Sequence, residues 1–146
     1  MTGKEIIDFE PRFAPAFFAL NEAWTSALFA MEPKDREILS DPQGLIINKG
    51  GAILFAAENG VAVGCCALIA MDDGVFEIVK MAVADACKGR GIGRDLMAAC
   101  VDRARASGAL RLYLESNSAL TPALTLYRSF GFVDLPPERR PVSTYA

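Results

Sequence analysis

Histidine is absent from the 146 residues of this chain. Its absence removes the commonest general base, and with it every Ser-His-Asp or Cys-His scheme. Cysteine is scarce: Cys65, Cys66, Cys87 and Cys100 are the whole set. None forms a C-x-x-C pair, so no zinc site and no disulfide framework is indicated. Reduced thiols in a cytoplasmic protein are the plain reading. No apolar run approaches the roughly 18 residues of a membrane span. The opening Met1-Thr2-Gly3-Lys4-Glu5 lacks the basic-then-apolar order of a signal peptide. Positive charge is in deficit too, and a net charge of -3 argues against a general nucleic-acid binder.

What is present is a globular balance, 52% apolar and 23% charged residues. No repeat, low-complexity tract or linker interrupts it, which reads as a single domain over residues 1–146. Ile6 and Ile7 suit a short first strand. From Pro11 onward Phe13, Phe17, Leu20, Trp24 and Leu28 recur every three or four positions, the helical period. Pro33 ends that run; residues 33–39 suggest a short second helix and residues 44–49 a further turn. The pattern then becomes that of strands. Ala52–Glu58 runs into Asn59-Gly60, the strongest short hairpin signal. Residues 61–71 return, and Asp72-Asp73-Gly74 turns the chain into Val75–Val83. A helix over 92–107 places Ile92, Leu96, Met97, Cys100, Val101 and Ala104 on one stripe, with Gly108 as its cap. Residues 110–115 read as a strand parallel to Val75–Val83, because a strand-helix-strand passage implies that pairing. Thr121-Pro122 opens a last helix carrying Leu124, Tyr127 and Phe130. Gly131 stops it, and residues 132–135 suggest one more strand. The fold class is α/β: a helical N-terminal section, an antiparallel meander, then a β-α-β-α unit.

Between the third strand of the meander and its helix lies Lys88-Gly89-Arg90-Gly91-Ile92-Gly93-Arg94. Glycines let a backbone approach a ligand closely, and a helix start offers unpaired N–H groups and partial positive charge. Together they suit a pyrophosphate. The string is no P-loop, which needs G-x-x-x-x-G-K-[ST]. Nor is it a dinucleotide fingerprint, because Arg94 and Leu96 stand where a third glycine is required. It does fit R/Q-x-x-G-x-G/A, with Lys88, Gly91 and Gly93 in the defining slots. This is the pyrophosphate signature of the GNAT family of N-acetyltransferases, which the chain resembles. The resemblance extends to Phe76-Glu77-Ile78-Val79-Lys80-Met81-Ala82-Val83 as the family's fourth strand and Leu112-Tyr113-Leu114-Glu115-Ser116-Asn117 as its fifth. Ala123-Leu124-x-Leu126-Tyr127-x-x-Phe130-Gly131-Phe132 resembles its last helix and turn. Lys88 departs from the usual Arg or Gln, keeping charge but not planar donors. The family's last strand looks cut short at Tyr145-Ala146, which invites completion by a second copy in a homodimer.

The resemblance implies an acyl-CoA N-acyltransferase fold, a central mixed sheet whose parallel fourth and fifth strands splay, flanked by helices. It implies acetyl-CoA as cofactor and a primary amine as acceptor, attacking directly in a ternary complex. Backbone groups of Met81, Ala82 and Val83 would hold the pantetheine arm and thioester. Lys88, Gly89, Arg90, Gly91, Ile92, Gly93 and Arg94 would wrap the pyrophosphate, and Asn117 would bond the amide arm. Tyr127 would protonate the leaving thiolate. An amine with a pKa of about 10.4 must shed its proton first, at a cost of roughly 4.6 kcal/mol at neutral pH. Without histidine, Glu77 is the first choice of base, through water, and Glu115 the second. Bland readings stand beside these: Tyr127 as a core aromatic, Arg90 and Arg94 as solvated charges, Glu77 as a surface-facing strand carboxylate. Trp24 and Phe29 are candidates for an acceptor pocket. A non-catalytic acyl-CoA-binding module would use the same cradle.

Overall fold

The computed structural model describes residues 4–28, 32–115, 121–133 and 135. Five strands form one sheet in sequence order: β1 (Lys4–Asp8), β2 (Ala52–Glu58), β3 (Val61–Ala70), β4 (Val75–Val83) and β5 (Arg111–Tyr113). The first four pair antiparallel, and β5 joins β4 in parallel. The helices are α1 (Ala14–Leu28), α2 (Pro33–Ser40), α3 (Pro42–Leu45), α4 (Ile92–Ala106) and α5 (Thr121–Ser129). The β2–β3 hairpin turns on Asn59 and Gly60 with φ of 53° and 81°. Asparagine and glycine tolerate that left-handed pair, and its twist matches that of the strands it joins.

Strand alternation divides the core in two. Leu54, Ala56, Cys66, Leu68 and Ile78 face α4, where Ile92, Leu96, Met97, Cys100 and Ala104 meet them. Ile53, Phe55, Cys65, Ala67 and Ile69 face the other way, onto Phe13 and Phe17 and onto Leu39 and Ile46. Phe13 stacks on Phe55 at 5.1 Å and Phe17 meets it edge-on at 6.3 Å. Each such buried side chain contributes about 1.5–3 kcal/mol, so both helix layers are fastened through the sheet. On the α4 side the approach is close because β3 carries Gly64. A Cβ there would lie 3.0 Å from Ile92 Cγ2 and 3.1 Å from Leu96 Cδ1.

Three expectations change. The fifth strand is Arg111–Tyr113, not residues 110–115. Its start is tied up by a turn, with Leu110 and Arg111 N–H both donating to the Gly74 carbonyl at 2.8 and 3.3 Å. Beyond Tyr113 it leaves β4. Phe132 and Val133 belong to no strand; they follow the turn at Gly131, where φ is 92°. The third strand stops at Ala70, and Met71 instead closes the next hairpin by donating to Val75 O at 2.8 Å. The expected C-terminal strand and the partner copy it invites fall on residues outside those described.

Candidate active site

Strand β4 carries the site's backbone. Its first three residues pair with β5, ending at Glu77 and Tyr113. From Ile78 to Val83 no β5 partner follows among the described residues, while β3 stays paired on the opposite edge as far as Val83. Along that stretch the β3–β4 register slips by one residue: Ala67 opposes Val79, but Cys65 opposes Ala82. Lys80 takes up the extra length with φ of 56°. Left-handed backbone costs a lysine roughly 1–2 kcal/mol and increases the local twist. The bulge therefore sits one residue before Met81, on the half of β4 that β5 has left.

The glycine loop lies at the end of the same strand. A turn at Asp85–Cys87 leads to Lys88, and Gly91 caps α4 with φ of 78°. The first α4 bond runs from Asp95 N–H to Gly91 O at 3.0 Å, so the amides of Ile92, Gly93 and Arg94 precede the ladder. The N-cap residue, a glycine, has no side chain to cap them. Around Gly89 and Gly91 a Cβ would meet nothing within 4 Å, so the loop is open in front. Its cations are engaged. Lys88 Nζ bonds Asp85 Oδ1 at 2.9 Å, Arg90 pairs with Glu58 at the end of β2, and Arg94 stands 5.8 Å from the centre of the Phe130 ring. The Glu58 bond and charge hold the Arg90 guanidinium above its ordinary pKa. Glu58 was not visible as a site residue in sequence, since nothing in its strand marks it and its partner lies 32 residues away.

Helix α5 brings Tyr127 to this region. Gly93 of α4 faces Leu126 of α5 at 3.9 Å from where a Cβ would stand. Tyr127, Met81 and Val83 all pack on the α4-side core, and Tyr127 meets Phe132 edge-on at 6.4 Å. Burial, with the nearby Cys66 thiol adding to it, pushes the Tyr127 phenol above its ordinary pKa. Its proton is therefore retained at neutral pH. Glu77 is only 2% exposed, which overturns its reading as a surface-facing carboxylate. It pairs with Tyr113 in the parallel register, and the Tyr113 hydroxyl donates to Glu115 Oε2 at 2.8 Å. The structure thus gathers Met81, Ala82, Val83, the loop and Tyr127 at one end of β4, with Glu77 and Glu115 where β5 parts from it. Asn117, Phe29 and the Trp24 side chain lie outside the described residues. Among those residues no cluster of His, Cys, Asp or Glu could hold a metal ion. No described helix is long and apolar enough to cross a membrane.

The model of the Acetyltransferase (GNAT) family matches residues 14–132. The chain belongs to the GNAT acetyltransferase family. A curated relative, the uncharacterized N-acetyltransferase YjgM of Escherichia coli, is 32% identical over 69 residues. That match covers 47% of this chain and 41% of YjgM, so the chain spans about two-fifths of that relative's length. A GNAT acetyltransferase structure from Staphylococcus aureus superposes with a TM-score of 0.86 at 19% identity, over 94% of this chain and 89% of the other. An acetyltransferase from Streptococcus agalactiae gives 0.85 at 22%, over 97% and 90%. A GNAT acetyltransferase from Brucella melitensis, solved in complex with acetyl-CoA, gives 0.76 at 22%, over 92% and 85%. At these identities the likeness carries the GNAT fold, a mixed sheet with flanking helices.

Proposed function

We propose that the protein is an acetyl-CoA-dependent N-acetyltransferase acting on a primary amine. The observation that carries this reading is the half of β4 that β5 has left, which leads to a helix start capped by glycine. The residues suit the cofactor. The β4 edge from Met81 to Val83 that faces away from β3 matches an amide-bearing arm and a thioester carbonyl. The amides from Ile92 to Arg94, with Lys88, Gly89, Arg90, Gly91 and Gly93, match a pyrophosphate. A charge-assisted hydrogen bond contributes roughly 1.5–3 kcal/mol, so a few such donors reach micromolar affinity.

Acetyl-CoA supplies an activated acetyl thioester, which the amine attacks directly in a ternary complex, and CoA departs as the thiol. The chain's own residues manage protons and position. Tyr127 holds a proton that its raised pKa keeps in place, and it is the donor to the leaving sulfur. Glu77, buried beside the parting of β4 and β5, takes the amine proton, through water. Glu115, which accepts the Tyr113 hydroxyl, is the second choice of acid. Asn117 completes the grip on the amide arm.

The test is thiol release from acetyl-CoA against a diverse amine panel, with CoA affinity measured by calorimetry. Release with at least one amine is expected. Gly91→Glu, which puts charge and bulk on the phosphate path, is expected to abolish CoA binding. CoA binding without thiol release across the panel would leave an acyl-CoA-binding module instead. Unchanged CoA affinity in Gly91→Glu would remove the cradle.

A further inference from the structure

Lys80 is the only non-glycine residue with left-handed backbone inside a strand among those described; Asn59 and Asp73 adopt it in turns. Glycine would fit the position without strain. Strained residues persist where the surroundings over-determine them, and Lys80 is held from two sides. Its ammonium pairs with Asp35 of α2, and both side chains are largely withdrawn from solvent. Asp35 also accepts the Glu32 N–H at 3.1 Å in the capping box that starts α2. One carboxylate therefore closes the first turn of α2 and grips the bulge.

The second hold comes from α1. Asn21 is buried, at 2% exposure, and its amide donates to Phe17 O at 3.0 Å and to Cys65 Sγ at 3.4 Å. The Cys65 thiol in turn donates to the Lys80 carbonyl at 3.4 Å. Burial pushes that thiol's pKa up to about 12, although the Asn21 amide and the Ala82 backbone pull against it. The S–H donor is therefore present across the neutral range. A buried asparagine is costly unless its amide is satisfied, and here one of its two donor contacts leads through Cys65 to the Lys80 carbonyl.

We propose that Lys80 is a positioning residue, anchored to α2 through Asp35 and to α1 through Cys65 and Asn21, and that these anchors set the Met81–Val83 backbone for acyl transfer. The inference rests on the proposed function, but it concerns residues with no part in gripping the cofactor. It makes α1 and α2 report to the backbone beside the thioester.

The test uses the whole chain, one double variant and five single ones: Lys80→Met, Asp35→Asn and Cys65→Ala, which cut the anchors, and Lys80→Arg and Cys65→Ser, which keep them. Each cutting variant is expected to lower kcat about tenfold while CoA affinity moves less than about threefold, as misplacement of a reacting group does. The conservative pair is expected to recover most of the loss. Asp35→Asn combined with Lys80→Met is expected to be no worse than the poorer single variant, because one contact is removed twice. Wild-type kcat in the folded cutting variants, with only the melting temperature lowered, would overturn the proposal. A second readout needs no turnover: hydrogen exchange at the Met81 and Ala82 amides, with β2 amides as internal control. Faster exchange confined to the bulge in the cutting variants is expected, and exchange unchanged there overturns the anchoring. If the wild-type protein releases no thiol from any amine, the functional reading fails, and the exchange measurement still decides the anchors.

Discussion

Tyr127 and Arg90 show how surroundings assign a role to a side chain. A phenol raised by burial is a poor base and a serviceable acid at neutral pH. Tyr127→Phe is therefore expected to lower kcat about ten- to hundredfold while leaving CoA affinity near wild type, since only the departing thiolate loses its donor. Equal turnover in steady-state thiol release would take Tyr127 out of the mechanism. Arg90 carries a partner of opposite sign in Glu58. The pair is partly exposed, so water and salt weaken it. Glu58→Gln removes an anion beside the phosphate path, so CoA binding is expected to tighten a few-fold, more at low ionic strength. Calorimetry at two salt concentrations reads it; weaker binding would mean that Glu58 instead holds Arg90 in place for the cofactor.

Among the elements, those with local signals were legible in the sequence. Ala52–Glu58 and Val75–Val83 begin and end where the pattern puts them, because Asn59-Gly60 and Asp72-Asp73-Gly74 are turns whose chemistry is local. The helix after the glycine loop starts at Ile92 as expected. The parting of β4 and β5 follows from the family resemblance, not from periodicity, which overran β5 at both ends. The bulge was invisible because the residue in left-handed backbone is a lysine, and its supports at Asp35 and Cys65 lie 45 and 15 residues away. The burial of Glu77 was hidden for a similar reason: alternation says which face a residue takes, not whether a helix covers that face. Gly64 gives this scale its own test. Added volume at that tight contact forces β3 and the first turn of α4 apart, so Gly64→Ala is expected to destabilise the fold by about 1–3 kcal/mol in urea unfolding. An unchanged midpoint would mean that α4 shifts without cost.

For the molecule as a whole, the absence of histidine means that no imidazole titrates near neutrality. Perturbed groups lie on either side. Burial would raise the Asp35 carboxyl, but Lys80 and the Glu32 amide outweigh it and hold it below its ordinary pKa. The unfolded chain then binds more protons than the folded one in acid, so this contribution is lost as pH falls below about 4. Cys65 is raised to about 12, while Cys66 is raised by its Cys100 contact and burial, and Tyr127 by burial. There the folded chain keeps protons that the unfolded chain releases, so stability falls as pH rises through the window from about 9 to 12. Thermal unfolding across pH is expected to show a flat top through neutrality with a decline on each side. A step near pH 6–7 would contradict it.

Among the described residues, β4 beyond Glu77 has no neighbour on its β5 side, and this has a colloidal consequence. Exposed strand edges are templates for other chains, which pair with whatever offers matching N–H and C=O groups. In the proposed complex the pantetheine arm takes the place of a missing strand, so the free protein is the form prone to self-association. CoA at a hundredfold excess over its Kd adds about 2.7 kcal/mol to the folded state. It is expected to raise the melting temperature by roughly 5–10 °C and to slow the growth of light scattering on incubation. On the proposed function, the cofactor would then act as a solubility agent for the sheet it completes.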